Sequence, residues 1–98
     1  MSQPEPELTA AQLVEEIKKL RVSDLVLSTV TTLAQLGYAK LEESSRDLEQ
    51  ARLAIDSIRA LLPTLEGHVP DELGADLAKM LADLQLAYAG AAAAPPVE

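Results

Sequence analysis

Chemistry in this chain has few places to start. His68 is the single histidine among 98 residues, and there is no cysteine. A catalytic or metal-binding histidine needs partner groups, and Glu66-Gly67-His68-Val69-Pro70 reads as a loop. Without Cys, nucleophilic chemistry would fall to a Ser or Thr activated by His68, yet no serine sits in a Gly-x-Ser-x-Gly turn. Acids adjoin at Glu15-Glu16, Glu42-Glu43 and Asp71-Glu72. Neighbours on a helix point about 100° apart, so these are not acid–base pairs. Asp76 and Asp83 share one face two turns apart, with Lys79 between them. They could face a hard cation, but a solvated face with local pairing is the plainer reading. Calcium loops alternate oxygen ligands around a Gly, and this spacing does not. Four scattered glycines build no phosphate cradle. The residues therefore indicate no enzyme, no cofactor and no metal. Two alternatives stay open: a small enzyme or metal-dependent protein using Asp76, Asp83 and His68, and a regulatory domain holding a small ligand between Tyr38 and Tyr88.

Helices must carry whatever function there is, and one stretch dominates their reading. Leu25 to Ala39 is fifteen residues without a charge, in a chain that is 24% charged. It is too short, and too rich in Ser and Thr, for the roughly 20 apolar residues of a membrane helix. Elsewhere the chain is acidic, with net charge −8. From Ala60 onward only Lys79 opposes six carboxylates. Such a surface does not suit phosphate-driven nucleic-acid binding or an anionic membrane. No secretory signal is visible, and a cytoplasmic setting fits the lack of Cys. There is no Phe or Trp, so the core must be built from Leu, Ala, Val and Ile. A small core without staples often recruits a second chain.

Four helices and no strand are predicted. The first runs over 9–20, with Thr9 and Gln12 at capping-box spacing and an apolar stripe of Leu13, Val14, Ile17 and Leu20. The second covers 24–36, capped by Ser23 and ended by Gly37. The third follows Asp47, with Leu48, Ala51, Ile55, Ile58, Leu62 and Leu65 at helical spacing. Pro63 should kink its last turn and Gly67 should stop it. Asp56, between Arg52 and Arg59, reads as a surface acid or as a polar contact to a partner. The fourth starts at Pro70 and ends near Ala89, with Leu73, Leu77, Met80, Leu81, Leu84, Ala87 and Tyr88 inward. Gly74 lies within it, at a cost of about 1 kcal/mol unless a neighbour needs the gap. Leu53 and Leu86 fall opposite their stripes.

Three segments also carry a resemblance: LVLSTVTTLAQLGYA at 25–39, DLEQARLAIDSIRALL at 47–62, and LADLQLAYA at 81–89. Over residues 24–90 the chain resembles an uncharacterised bacterial family, domain of unknown function 1844. Two features depart from it. Thr64-Leu65-Glu66-Gly67-His68 replaces the family's Lys-Thr and Gly-Asn, and Gln85 stands in place of Arg. The resemblance implies a small all-helical bacterial protein and brings no catalytic residues.

The expected architecture is all-α: a small antiparallel bundle of three main helices plus a short, less tightly packed N-terminal helix. The domain spans residues 8–90, between disordered tails at 1–7 and 91–98. The expected function is non-enzymatic, by self-association or docking on a protein partner, with a small-molecule ligand disfavoured. The uncharged helix is either a central core helix or an interface helix buried by a second chain. In the latter case Leu27, Val30 and Ala34 are interface candidates, together with Leu53 and Leu86.

Overall fold

The computed structural model describes residues 9–93, so the expected tail at 1–7 and the end of the expected C-terminal tail, 94–98, lie outside the described residues. It is all-α, with no strand among them. The helices are α1 (Ala10–Lys19), α2 (Val22–Ala39), α3 (Leu48–Leu61) and α4 (Asp71–Ala93). Short 3-10 turns lie at Glu43–Ser45 and Leu62–Leu65.

Local chemistry explains where each helix begins and ends. Thr9 Oγ1 accepts from the Gln12 amide at 3.1 Å, and Gln12 Oε1 accepts from the Thr9 amide at 2.9 Å. The capping box therefore closes as expected. Asp47 caps α3 by accepting from the Gln50 amide. α2 starts earlier than expected, after Arg21, and makes no side-chain cap. Ser23 lies inside its first turn. Three of the Thr and Ser hydroxyls of α2 turn onto the helix's own carbonyls: Ser28 donates to Leu25 at 3.1 Å, Thr29 to Leu25 at 2.8 Å and Thr31 to Ser28 at 2.9 Å. α3 tightens into a 3-10 turn around Pro63, and Gly67 takes φ +79° just beyond. α4 passes through Gly90 and continues to Ala93. Alanines on both sides of Gly90 outweigh its helix-breaking cost, so the expected end near Ala89 is corrected and residues 91–93 are helical.

α2, α3 and α4 pack on one another around Val30, Ala34, Leu41, Ala51, Ile55, Ile58, Leu65, Leu77 and Leu84. Val30, Ile58 and Leu84 are wholly buried. The α2–α3 connection is fixed by hydrogen bonds. Arg46 donates from Nε and Nη2 to the Leu41 carbonyl, at 3.2 and 3.0 Å. The Asp47 amide reaches back to Lys40 at 2.8 Å.

Gly37 behaves differently from its sequence reading. It is not a terminator but a buried member of α2, which runs on to Ala39. A Cβ at this position would meet Leu84 Cδ2 at 3.2 Å and Ala54 Cβ at 3.3 Å. Glycine is needed here for close approach of three helices. Gly74, in contrast, has nothing within 4 Å of the corresponding point.

These observations give three predictions. Ile58→Ala should cost about 2–5 kcal/mol in denaturant unfolding, whereas Leu53→Lys, on the wet side of α3, should stay within about 0.5 kcal/mol. Gly37→Ala should destabilise by about 1 kcal/mol, because overpacking outweighs the gain in helix propensity, and Ala54→Gly should restore part of the loss. Gly74→Ala should stabilise by about 0.5–1 kcal/mol. If Gly37→Ala stabilised as Gly74→Ala does, the close approach would be refuted.

Candidate functional site

The residues with chemical potential are dispersed on the surface. His68, Asp76 and Asp83 are all exposed. No polar or charged side chain is buried among the described residues, and no three His, Cys, Asp or Glu side chains gather there around a point that could hold a metal. Lys79 Nζ donates to Asp83 Oδ2 at 2.9 Å. That hydrogen bond, and the Asp83 charge behind it, raise the Lys79 pKa above its ordinary value. Asp83 is thus engaged by its own helix. Asp56 is exposed and lies 4.0 Å from Arg52 Nε.

Two open depressions flank the 3-10 turn at Leu62–Leu65. One, of about 600 Å³, lies between Val22, Val26, Leu61 and Leu65, with His68 at its rim. The other, of about 500 Å³, lies between Pro63, Val69, Gly74 and Leu77. Neither is lined by Tyr38 or Tyr88. Tyr38 is exposed, while Tyr88 packs against the core.

The interface candidates separate into two groups. Val30 and Ala34 are 0% and 3% exposed and belong to the chain's own core, with Leu27 partly buried beside them. Of the two alternatives the sequence leaves open for these three, the core one describes this side of α2, because α3 and α4 pack against it. Leu53 and Leu86 are exposed, as their off-stripe positions predict. The uncharged helix is therefore core on one side only. Its other side, with Leu25, Ser28, Thr29, Thr32, Gln35 and Leu36, faces outward.

The largest apolar exposure lies where sequence reasoning expected only looser packing. Every residue from Thr9 to Val22 is exposed, and α1 contains no buried residue. Its whole stripe of Leu13, Val14, Ile17 and Leu20 faces outward, followed by Val22 and Leu25 at the start of α2; the six are 49–77% exposed. Leu20 is extended, at φ −76°, ψ 140°, as is Arg21, at φ −93°, ψ 135°. This two-residue joint directs α1 away from the core. The Cα radius of gyration is 18.1 Å, where about 13 Å is usual for a compact chain of this length. The signal for this surface was present in the sequence as a short amphipathic stripe. What the sequence did not give was the direction of the joint.

A ten-residue helix with an uncovered apolar face is marginal in water. In a dilute monomer, α1 amides should exchange with solvent close to free-peptide rates, while Ile55 and Ile58 in α3 stay strongly protected. Equal protection of both helices in a verified monomer would show that α1 is covered. Comparison with models of known protein families, with curated proteins and with solved structures gives no match.

Proposed function

We propose that this is a non-enzymatic helical interaction protein, acting by self-association or by docking on a protein partner through its α1 face. The observation that carries the reading is the uncovered stripe Leu13, Val14, Ile17 and Leu20. The largest apolar patch on a monomer, typically about 300–600 Å², is often a functional surface. The exposed positions of His68, Asp76 and Asp83 lend no support to catalysis there. In this reading α2, α3 and α4 form an antiparallel bundle, consistent with their short connections at 40–47 and 62–70. The bundle is the rigid base and α1 the docking arm. The resemblance of 25–39, 47–62 and 81–89 to domain of unknown function 1844 implies a small all-helical bacterial protein, and the lack of Cys is compatible with a cytoplasmic setting.

The double substitution Leu13→Asp/Ile17→Asp tests the reading. It should change the unfolding free energy of the core by no more than about 0.5 kcal/mol. It should also abolish cross-linked species formed in cells by the full-length chain through α1, whether with itself or with another protein. Unchanged cross-linking, or a core as unstable as that of Ile58→Ala, would refute it.

A further inference from the structure

Independently of what meets α1, we infer that the outward face of α2 seats a second copy of this chain, with the two α2 helices antiparallel about a two-fold axis level with the link between Val30 and Thr31. The spacing on that face carries the argument. Val22, Leu25, Thr29, Thr32, Leu36 and Ala39 follow one another at intervals of three, four, three, four and three residues. At 100° per residue they fall within an arc of about 100°, and all six are exposed. Val30, Ala34 and Gly37, which are buried, lie on the other half of the helix. α2 therefore has two faces. One packs on α3 and α4, and the other is a seam with the three-four alternation by which helices pair.

The seam reads the same in both directions. About that one centre, Leu25 comes level with the partner's Leu36, Thr29 with the partner's Thr32, and Val22 with the partner's Ala39. Leucine opposes leucine, threonine opposes threonine, and the bulkier end residue meets the smaller. A closed dimer requires such self-complementarity, whereas a foreign helix has no need of it. The hydroxyls complement one another as well. Thr29 Oγ1 donates its proton to the Leu25 carbonyl at 2.8 Å, which leaves its lone pairs to accept. Thr32 makes no side-chain hydrogen bond among the described residues, so its proton is free for the partner's Thr29, twice over by symmetry. Ser28, at the edge of the seam, also donates to the Leu25 carbonyl and can accept from the partner's Gln35, about 3 Å away in level. The polar groups of the seam thus keep partners when water leaves.

Charge selects the same face. With a net charge of −8, most approaches of one copy to another set acid against acid. Leu25 to Ala39 carries no charge, so here two copies can lie side by side with no like charges between them. The antiparallel direction places the positive N-terminal end of each α2 beside the negative C-terminal end of its copy. It also separates Glu42 and Glu43, which follow the helix, from the same residues of the partner by the length of α2. That length is 18 residues, or about 27 Å. One helix pair of this size belongs at the low end of specific interfaces, below about 1,200 Å² in total, so the dimer is reversible.

Sedimentation equilibrium of the full-length chain, from about 10 to 500 micromolar, should show a reversible monomer–dimer equilibrium above the 10.5 kDa monomer. Leu25 and Leu36 are 62% and 50% exposed, so changes there should leave the helical content and the unfolding midpoint intact. Leu25→Lys/Leu36→Lys sets like charges at matched positions and should weaken dimerisation about tenfold or more, although it lowers the net negative charge. Leu25→Lys/Leu36→Glu sets opposite charges there and should dimerise more tightly than the double lysine variant. In a parallel pair each position meets itself, so equal weakening by both variants would overturn the antiparallel arrangement. Because the chain has no Cys, a disulfide reports the same register: a Leu25→Cys chain should link to a Leu36→Cys chain faster than either links to itself. A chain that is monomeric throughout, or a dimer indifferent to Leu25→Lys/Leu36→Lys, would overturn the inference. A dimer that survives Leu25→Lys/Leu36→Lys but not Leu13→Asp/Ile17→Asp would overturn it in favour of a second copy on α1. The α1-dependent cross-links in cells are read separately, so the docking arm stands or falls on its own.

Discussion

The close approach at Gly37 is the constraint on which the folded part depends. Phe and Trp usually supply much of a small core's buried area, and this chain has neither. Leu, Ile, Val and Ala must then exclude water through proximity rather than bulk. Gly37 in α2 and Ala54 in α3 leave room for Leu84 of α4, which is fully buried between them. Val30 and Ala51, also without exposed surface, extend the same seam. Helices that meet through such small groups bring their backbones together, which increases dispersion contacts per residue. The Arg46 fork on the Leu41 carbonyl then fixes how α3 leaves α2. Without that register Gly37 would not face Ala54.

A core so sparing in volume cannot cover every apolar side chain. α2, α3 and α4 satisfy one another, and α1 is left out. Its extended joint at Leu20 and Arg21 places a second amphipathic surface beyond the reach of the first. The molecule is correspondingly flat: 54 × 45 Å across but 18 Å deep, about two helix layers. Burial within the chain thus falls to α2, α3 and α4, and α1 stays available for a partner.

Much of this was legible in the residues. The 3.6-residue period of Leu48, Ala51, Ile55 and Ile58 identified the buried face of α3, and Thr9 with Gln12 identified the start of α1. Leu53 and Leu86 stood out by angle alone, and both are exposed. The misreadings share a cause. Gly37 has the residue type of a helix stop and the environment of a packing contact; local propensity speaks only to the first. Gly90 likewise has the residue type of a helix end, but the alanines around it carry α4 on to Ala93. For Val30 and Ala34 the sequence leaves core and interface both open, because an uncharged helix does not reveal which of its sides another element covers. The position of α1 depended on the backbone angles of two residues, Leu20 and Arg21, and neither residue type dictates them.

The two tyrosines divide the molecule optically. Tyr88 packs on the core from α4, while Tyr38 stands 41% exposed at the end of α2. No tryptophan masks them. Near-ultraviolet absorbance and phenol fluorescence therefore follow the loosening of the interior chiefly through Tyr88, while Tyr38, already partly hydrated, changes less. Both rings lie outside the N-terminal arm, so its melting is silent at these wavelengths and visible only to probes of backbone conformation.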